Sequence, residues 1–207
     1  MGADQALEPS HLEGHRESAF PPVARNRQRS VGQRTTAKMV ESLHMTATLL
    51  SASEYLRTEF RPDADFVDGH VEERNGGEKS HGKMQVRLVL LLREIGLFAA
   101  LETRLKVTST RYRVPDVCAY HAEPEEEVFT TPPYICIEVL SPEDRIARTM
   151  EVAQDYFQIG VLNVWLVDPV GRMIYVCDAA GGWSAVTDAN VRTSDGRLVL
   201  TVSQILG

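Results

Sequence analysis

Long apolar runs, paired cysteines and secretory features are all missing from this 207-residue sequence. No apolar run approaches the roughly 18 residues of a membrane-spanning helix, and residues 1–30 contain no apolar core of a secretory signal. The three cysteines, Cys118, Cys136 and Cys177, show no CxxC spacing, which argues against a zinc site and a disulfide framework. We therefore expect a cytoplasmic protein with no membrane partner, in which the cysteines are small core residues.

The motifs of several common enzyme classes are missing as well. The sequence has no GxSxG, GxxxxGK[ST] or HExxH motif and no glycine-rich dinucleotide loop. Positive charge is also scarce: the sequence has 22 Lys and Arg residues against 29 Asp and Glu residues, which gives a net charge of −7. A general nucleic-acid binder usually has a basic surface. The acidic balance counts against such a partner without excluding it, because a bound metal ion supplies positive charge locally.

Residues 1–44 differ in composition from the rest of the chain. They are rich in His, Pro, Gly, Ser and Arg and lack apolar periodicity, so we expect a disordered tail. One alternative to a tail without a partner is that the arginine-bearing stretch 25–38 contacts an anionic partner. Another is that the natural protein starts at Met39 or Met45, in which case the tail has no function. Residues 45–207 are expected to form one globular domain.

Helices are indicated at three places. Ser51 and Glu54 predict a capped helix through about Phe60. Helical spacing of apolar residues predicts a second helix after the Gly76-Gly77 loop and a third over about 144–159. Their buried stripes are expected to be Met84, Leu88, Leu91, Leu92 and Ile95 in the second helix, and Ile146, Met150, Ala153 and Phe157 in the third.

Strands account for most of the remaining pattern. Asp68-Gly69 predicts a hairpin turn within the alternating segment 65–72. Further strands are predicted at about 100–108, 112–121, 134–140, 161–168, 172–177, 183–186 and 197–202. This order of elements predicts an α/β (α+β) domain with a mixed β-sheet.

Two acids lie inside apolar, strand-like runs. Asp116 is in the segment Val114–Tyr120, and Glu138 is in the segment Tyr134–Leu140. A carboxylate is rarely buried unless it is paired or holds a metal. On neighbouring strands the two would form an oxygen-ligand site suited to Mg²⁺ or Mn²⁺. The alternative is that each is a strand-end acid that faces solvent or pairs with an arginine.

Three more residues are weaker candidates for the same site. Asp65, at the start of the hairpin, is a third acid within plausible reach, or else a surface acid. His81, at the start of the second helix, would position a water or a phosphate, or else lie on the surface. Ser141 precedes Pro142 in a helix-start pattern whose free N–H groups would suit a phosphate, although an ordinary capped helix needs no ligand.

Taken together, these segments resemble the Uma-two family of restriction endonucleases, a branch of the PD-(D/E)XK nuclease superfamily. The resemblance covers roughly residues 46–186. The matching segments are Leu50-Ser51-Ala52-Ser53-Glu54-Tyr55-Leu56, Phe66-Val67-Asp68-Gly69, His81, Val114-Pro115-Asp116-Val117, Ile137-Glu138-Val139-Leu140-Ser141-Pro142, Tyr156, and Gly160-Val161 through Trp165-Leu166-Val167-Asp168-Pro169.

The resemblance implies a restriction-endonuclease-like mixed sheet flanked by helices, and metal-dependent cleavage of phosphodiester bonds. It places the metal-binding acids at Asp116 and Glu138, with Asp65 as a further acid. In that chemistry a divalent ion polarises the scissile phosphate and lowers the pKa of the attacking water.

The sequence departs from the family pattern at the lysine that usually assists this chemistry. The two positions where the family carries it are Leu140 and Val152 here, and neither is a cation. Arg148 lies one turn before Val152 on the same helix face and is the first candidate substitute. Other candidates are Arg145, Lys106 and Arg113. Arginine binds phosphate well but accepts protons poorly, so metal or phosphate binding is better supported than catalysis.

Three functions remain open from the sequence. The first is a Mg²⁺-dependent endonuclease acting on DNA rather than RNA, with Asp116, Glu138 and Arg148 as catalytic residues. The second is a catalytically degenerate binding module of the same fold, favoured by the missing lysine and the acidic charge. The third is a hydrolase of a small phosphate ester, which nothing specific selects. A homodimer formed through Trp183 and neighbouring strands is a further expectation.

Overall fold

The computed structural model describes residues 49–74, 78–141 and 146–207. The helices within these ranges are α1 (Ala52–Arg57), α2 (Lys79–Glu94), α3 (Ile146–Gln158) and α4 (Val202–Leu206). The strands are β1 (Asp65–Val67), β2 (His70–Glu72), β3 (Phe98–Leu101), β4 (Leu105–Lys106), β5 (Arg111–Arg113), β6 (Val117–Tyr120), β7 (Ile135–Val139), β8 (Val164–Asp168), β9 (Met173–Cys177), β10 (Trp183–Ala185), β11 (Asn190–Arg192) and β12 (Val199–Thr201). None of the described helices combines the length and the hydrophobicity needed to cross a membrane.

The predicted hairpin is present and belongs to a small antiparallel sheet. Asp68 and Gly69 form its turn with positive φ values of 49° and 93°, which is the backbone that tight two-residue hairpins require. The sheet has the strand order β2-β1-β5-β4. Helix α1 begins with the predicted Ser51–Glu54 capping box but ends at Arg57, before the predicted Phe60. Its Tyr55 ring stacks on Phe66 with centroids 4.9 Å apart, which fixes the helix against the sheet.

A six-stranded sheet forms the centre of the domain. Its order is β10-β9-β8-β7-β6-β3, with β7 and β8 parallel and the other neighbours antiparallel. The predicted mixed sheet flanked by helices is therefore confirmed. Alternate residues of β7 point to opposite faces: Ile135 and Ile137 pack in the cluster that contains α2, and Cys136 packs with α3. All three cysteines are buried and free, as predicted.

Two predicted strands are each divided in the structure. The segment 100–108 becomes β3 and β4, because Glu102 adopts a left-handed backbone with φ of 45° and ends the extended run. The segment 112–121 becomes β5 and β6, which belong to different sheets. Pro115 lies in the break, where it lacks the N–H that a continuous strand would need. Strand β11 and helix α4 were not predicted.

The predicted buried stripes were wrong at two positions. Met150 is 39% exposed and Ile95 is 47% exposed. Helix α3 instead buries Val152, Ala153 and Tyr156, a stripe whose members are three and four residues apart. Two overlapping apolar stripes were available in this helix, and packing against the sheet selected one of them. The side chain of Ile146 and residues 1–44 lie outside the described part, so the domain boundary at residue 45 stays a prediction.

Candidate active site

The register of β6 and β7 brings together Glu138 of β7 and Asp116, which lies one residue before β6 rather than inside the predicted strand. Val117 pairs with Ile137 in this antiparallel ladder, so one further step along it sets Asp116 against Glu138. Residues opposite each other in an antiparallel pair project to the same face, with Cβ atoms about 5 Å apart. The backbone N–H of Val139 donates to Oδ2 of Asp116 over 2.8 Å, which holds the first acid against the end of β7.

Both acids line one cleft of about 50 Å³. The described residues around it include two more charged groups from the small sheet and its continuation, Asp65 and Arg74, and one from helix α3, Arg148. Leu140 and Val152, the two positions where a lysine was expected, line it too. Both positions therefore lie at the cleft, and both carry apolar side chains there instead of a cation.

Asp116 is the most heavily hydrogen-bonded group of the site. Besides the Val139 N–H, its carboxylate accepts from Nη2 of Arg74, from Nε2 of His81 at 3.1 Å and from Nε2 of Gln85 at 3.4 Å. Burial alone would raise the pKa of Asp116. The His81 hydrogen bond and the Arg74 charge outweigh that effect and hold the pKa below its ordinary value. Asp116 is therefore an anion tied to four donors.

Glu138 lies in a different environment. It is half-buried, and its carboxylate accepts a hydrogen bond of 2.5 Å from the hydroxyl of Tyr156. Burial, together with the negative charge of Asp116, raises the pKa of Glu138 well above its ordinary value, although Arg74 and Tyr156 oppose the rise. Two facing carboxylates whose pKa values are driven apart indicate a site that favours a further cation or a proton.

Asp65 is held by an ion-pair network rather than left free. Its Oδ1 accepts the Val114 N–H over 2.9 Å, and its Oδ2 accepts from Arg113 at 3.0 Å. Arg113 is buried and also contacts Asp155 at 2.6 Å and Glu72 at 3.0 Å. Arg113 therefore lies beside Asp65, and its role as a substitute cation at the site stays a prediction. A role for Asp65 in metal binding stays a prediction.

The remaining candidate residues differ in their positions relative to the cleft. His81 is buried beside Asp116, so the surface interpretation of this residue was wrong. Arg148 donates to the carbonyl oxygen of Glu73 over 2.5 Å and lies 3.5 Å from Asp65. Ser141 is buried just after β7. Arg145 lies outside the described residues.

Three residues of the site were not predicted from the sequence. Tyr156 lies within the segments that carry the family resemblance, but it was given no role at the site. Gln85 is one helical turn after His81 on the same face of α2, a spacing that could have revealed it. Arg74 gave no indication in the sequence, because it lies 42 positions before Asp116, in the segment that follows β2.

Comparison with known families identifies the family of this chain. Residues 52–204 match the model of the Uma2 family, described as "Putative restriction endonuclease". The chain belongs to the Uma2 family. The resemblance drawn from the sequence is thereby confirmed. Among curated proteins, no relative of this Uma2 chain was found.

A solved structure has the same fold as this Uma2 domain. It is a crystal structure from Anabaena variabilis ATCC 29413, described as "a putative nuclease belonging to DUF820". The two superpose with a TM-score of 0.67 at 18% sequence identity, covering 76% of this chain and 97% of that chain. At this identity the likeness establishes the shared architecture.

The donor set of the Uma2 site fits a hard divalent cation. The cleft offers carboxylate oxygens, which Mg²⁺ and Mn²⁺ prefer. The described ranges contain no group of three or more His, Cys, Asp and Glu side chains arranged to hold a metal. Two carboxylates are nevertheless sufficient for Mg²⁺, since this ion keeps several waters and is often completed by substrate phosphates. The raised pKa of Glu138 is the feature that a bound cation would relieve.

Proposed function

We propose that this Uma2 protein is a metal-dependent endonuclease that hydrolyses phosphodiester bonds of DNA. The observation that carries the proposal is the placement of Asp116 opposite Glu138 in one cleft, with the pKa of Glu138 raised by burial and by its neighbour. The family description as a restriction endonuclease supports DNA as the substrate. A cytoplasmic location and Mg²⁺ or Mn²⁺ as the ion are parts of the same proposal.

Asp116 and Glu138 would hold the ion, which when bound supplies Lewis-acid polarisation of the phosphate and an activated water. The protein fixes both carboxylates from behind. The Val139 N–H and His81 orient Asp116, and the Tyr156 hydroxyl orients Glu138. Such outer contacts set the direction of ligand lone pairs, and their loss commonly weakens metal binding or activity by about 10- to 100-fold.

Arg148 is the proposed phosphate-binding residue. Its side chain is 32% exposed at the cleft, so one face of the guanidinium remains accessible while Glu73 and Asp65 hold the other contacts. A guanidinium binds phosphate oxygens through paired N–H groups but does not accept a proton at neutral pH. Arg148 would therefore position the substrate and offset its charge, without acting as the base.

Cleavage of supercoiled plasmid tests the proposal. The full chain should nick plasmid with Mg²⁺ or Mn²⁺ and not with EDTA. Asp116→Asn and Glu138→Gln should each lower the rate by at least about 100-fold. Glu94→Gln is the matched control, because Glu94 is an exposed acid of α2 outside the cleft. Undiminished cleavage by either cleft variant would contradict the assignment.

A catalytically degenerate DNA-binding module is the second candidate. Two observations favour it: Leu140 and Val152 leave the expected cation positions apolar, and Arg74 already forms an ion pair with Asp116. Binding of a fluorescently labelled duplex by the wild-type chain, with no cleavage at any divalent metal concentration, would support this function over the first.

A further inference from the structure

Arg74 follows β2 and extends its guanidinium into the cleft between the acids. It forms a buried ion pair with Asp116, and its side chain is 10% exposed. Burial would lower the pKa of Arg74, but the charges of Asp116, Glu138 and Asp65 together raise it above its ordinary value. A single guanidinium thus faces all three carboxylates of the site.

The other arginines near the cleft pair with groups other than Asp116. Arg113 is tied to Asp65 and Asp155, and Arg148 is tied to Glu73 and Asp65. Of the arginines that the structure describes around the cleft, Arg74 is the one in an ion pair with Asp116. Its charge offsets the repulsion between the two facing strand acids.

Four donors contact the carboxylate of Asp116, so a metal ion bound there would have to compete with at least one of them. A carboxylate has about four lone-pair sites, and those of Asp116 are met by Arg74, Gln85, His81 and the Val139 N–H. Three of these donors belong to helix α2 or strand β7, which pack in the core. Arg74 reaches in on a long side chain from a segment beyond the end of β2, and of the arginines described around the cleft it is the one paired with Asp116, so a cation bound at this carboxylate would repel and compete with it.

We propose that Arg74 and a divalent cation are alternative occupants of the Asp116–Glu138 cleft. This inference rests on the proposed metal site. In the metal-free protein the guanidinium pairs with Asp116 and offsets part of the negative charge of the two acids. Metal binding requires it to leave Asp116, so the apparent metal affinity is reduced by the free energy of the ion pair.

Metal titration by calorimetry tests the competition directly. Mn²⁺ and Mg²⁺ are titrated separately into the full-length wild type, Arg74→Met and Arg148→Met. The last variant removes the same charge from the cleft without a contact to Asp116. We expect the dissociation constant to fall by about 10-fold or more in Arg74→Met, and by less than about threefold in Arg148→Met.

Thermal unfolding of the same proteins gives a second readout. Without metal, Arg74→Met should melt below the wild type, because two acids lose their cation. With metal it should gain more in melting temperature than the wild type does. Arg74→Gln provides the same comparison should Arg74→Met fail to fold.

The outcomes separate this inference from the proposed function. An unchanged or weaker metal affinity in both Arg74 variants, equal tightening in Arg148→Met, or no metal binding by any variant would overturn the competition. Tighter metal binding in the Arg74 variants, abolished by a further Asp116→Asn change, would support it. That result holds whether or not plasmid is cleaved, so loss of the nuclease proposal alone would leave it standing.

Discussion

The hydroxyl of Tyr156 donates a hydrogen bond of 2.5 Å to Oε1 of Glu138, joining the buried face of α3 to strand β7. Burial raises the pKa of Tyr156 well above its ordinary value, so the hydroxyl remains a donor throughout the accessible pH range. The contact fixes the direction in which the Glu138 carboxylate faces the cleft. Tyr156 is therefore a positioning residue, one step removed from the metal and the substrate.

Tyr156→Phe should lower metal affinity by about 10-fold through a less well-oriented Glu138. It should also cost about 1–2 kcal/mol of unfolding free energy, since one buried hydrogen bond is lost. Urea denaturation and metal titration measure the two effects. Tyr120→Phe is the control, because its hydroxyl donates to the Thr131 carbonyl oxygen at a site outside the cleft. Equal metal affinities in both variants would argue against positioning by Tyr156.

Val152→Lys should increase the rate of plasmid cleavage. Val152 lines the cleft at one of the two positions where the family pattern has a lysine. A lysine there would supply the missing cation for the attacking water, with an expected gain of about 10-fold or more in metal-dependent plasmid cleavage. Val170→Lys, at an exposed position outside the cleft, controls for added charge. A folded Val152→Lys protein that cleaves no faster would mean that the lysine's absence does not limit the reaction.

Arg113→Met should be the most destabilising of the charge removals. The Arg113 side chain is buried and pairs with Asp65, Asp155 and Glu72. Among the described residues, its loss leaves the buried Asp155 paired only with Arg111 and the buried Asp65 paired only with Arg148, at an expected cost of about 3 kcal/mol. Arg61→Met removes an exposed pair with Glu59 and should cost at most about 1 kcal/mol. Chemical denaturation of the two variants gives the comparison, and similar costs would refute a central role for Arg113.

Asp195 predicts an acid-dependent change in stability. Its carboxylate accepts from the hydroxyls of Thr193 and Tyr134, each over 2.7 Å, and these bonds lower its pKa to about 2. Because the folded-state pKa lies below the unfolded value of about 3.9, the stabilisation is complete above pH 4 and is lost as the pH falls toward 2.

Urea unfolding of wild type and Asp195→Asn between pH 2 and pH 6 measures this effect. The difference between the two midpoints should be constant above pH 4 and should shrink below it. A difference that does not vary with pH would show that the carboxylate charge contributes nothing.

Local features of the chain were predictable because neighbouring residues decide them. The Ser51–Glu54 capping box and the Asp68-Gly69 turn depend on contacts within three or four positions, and both are present. The missed break in 112–121 had a local cause, Pro115, which was treated as part of a strand. The stripe of α3 was not predictable locally, because the helix carries two apolar faces and only the sheet determines which one is buried.

The amino-acid sequence by itself determined that Glu138 would lie in an apolar strand and Asp116 beside one, that the expected lysine would be missing, and that the chain would have the composition and order of elements of an α/β (α+β) domain. Only the tertiary structure decided that Asp116 faces Glu138, since strand register is a relation between segments 22 positions apart. It also decided that Arg74 pairs with Asp116 and offsets part of the negative charge of the two acids. Electrostatic energy depends on distance in space, and only the fold brings Arg74 beside Asp116, 42 positions further along the chain.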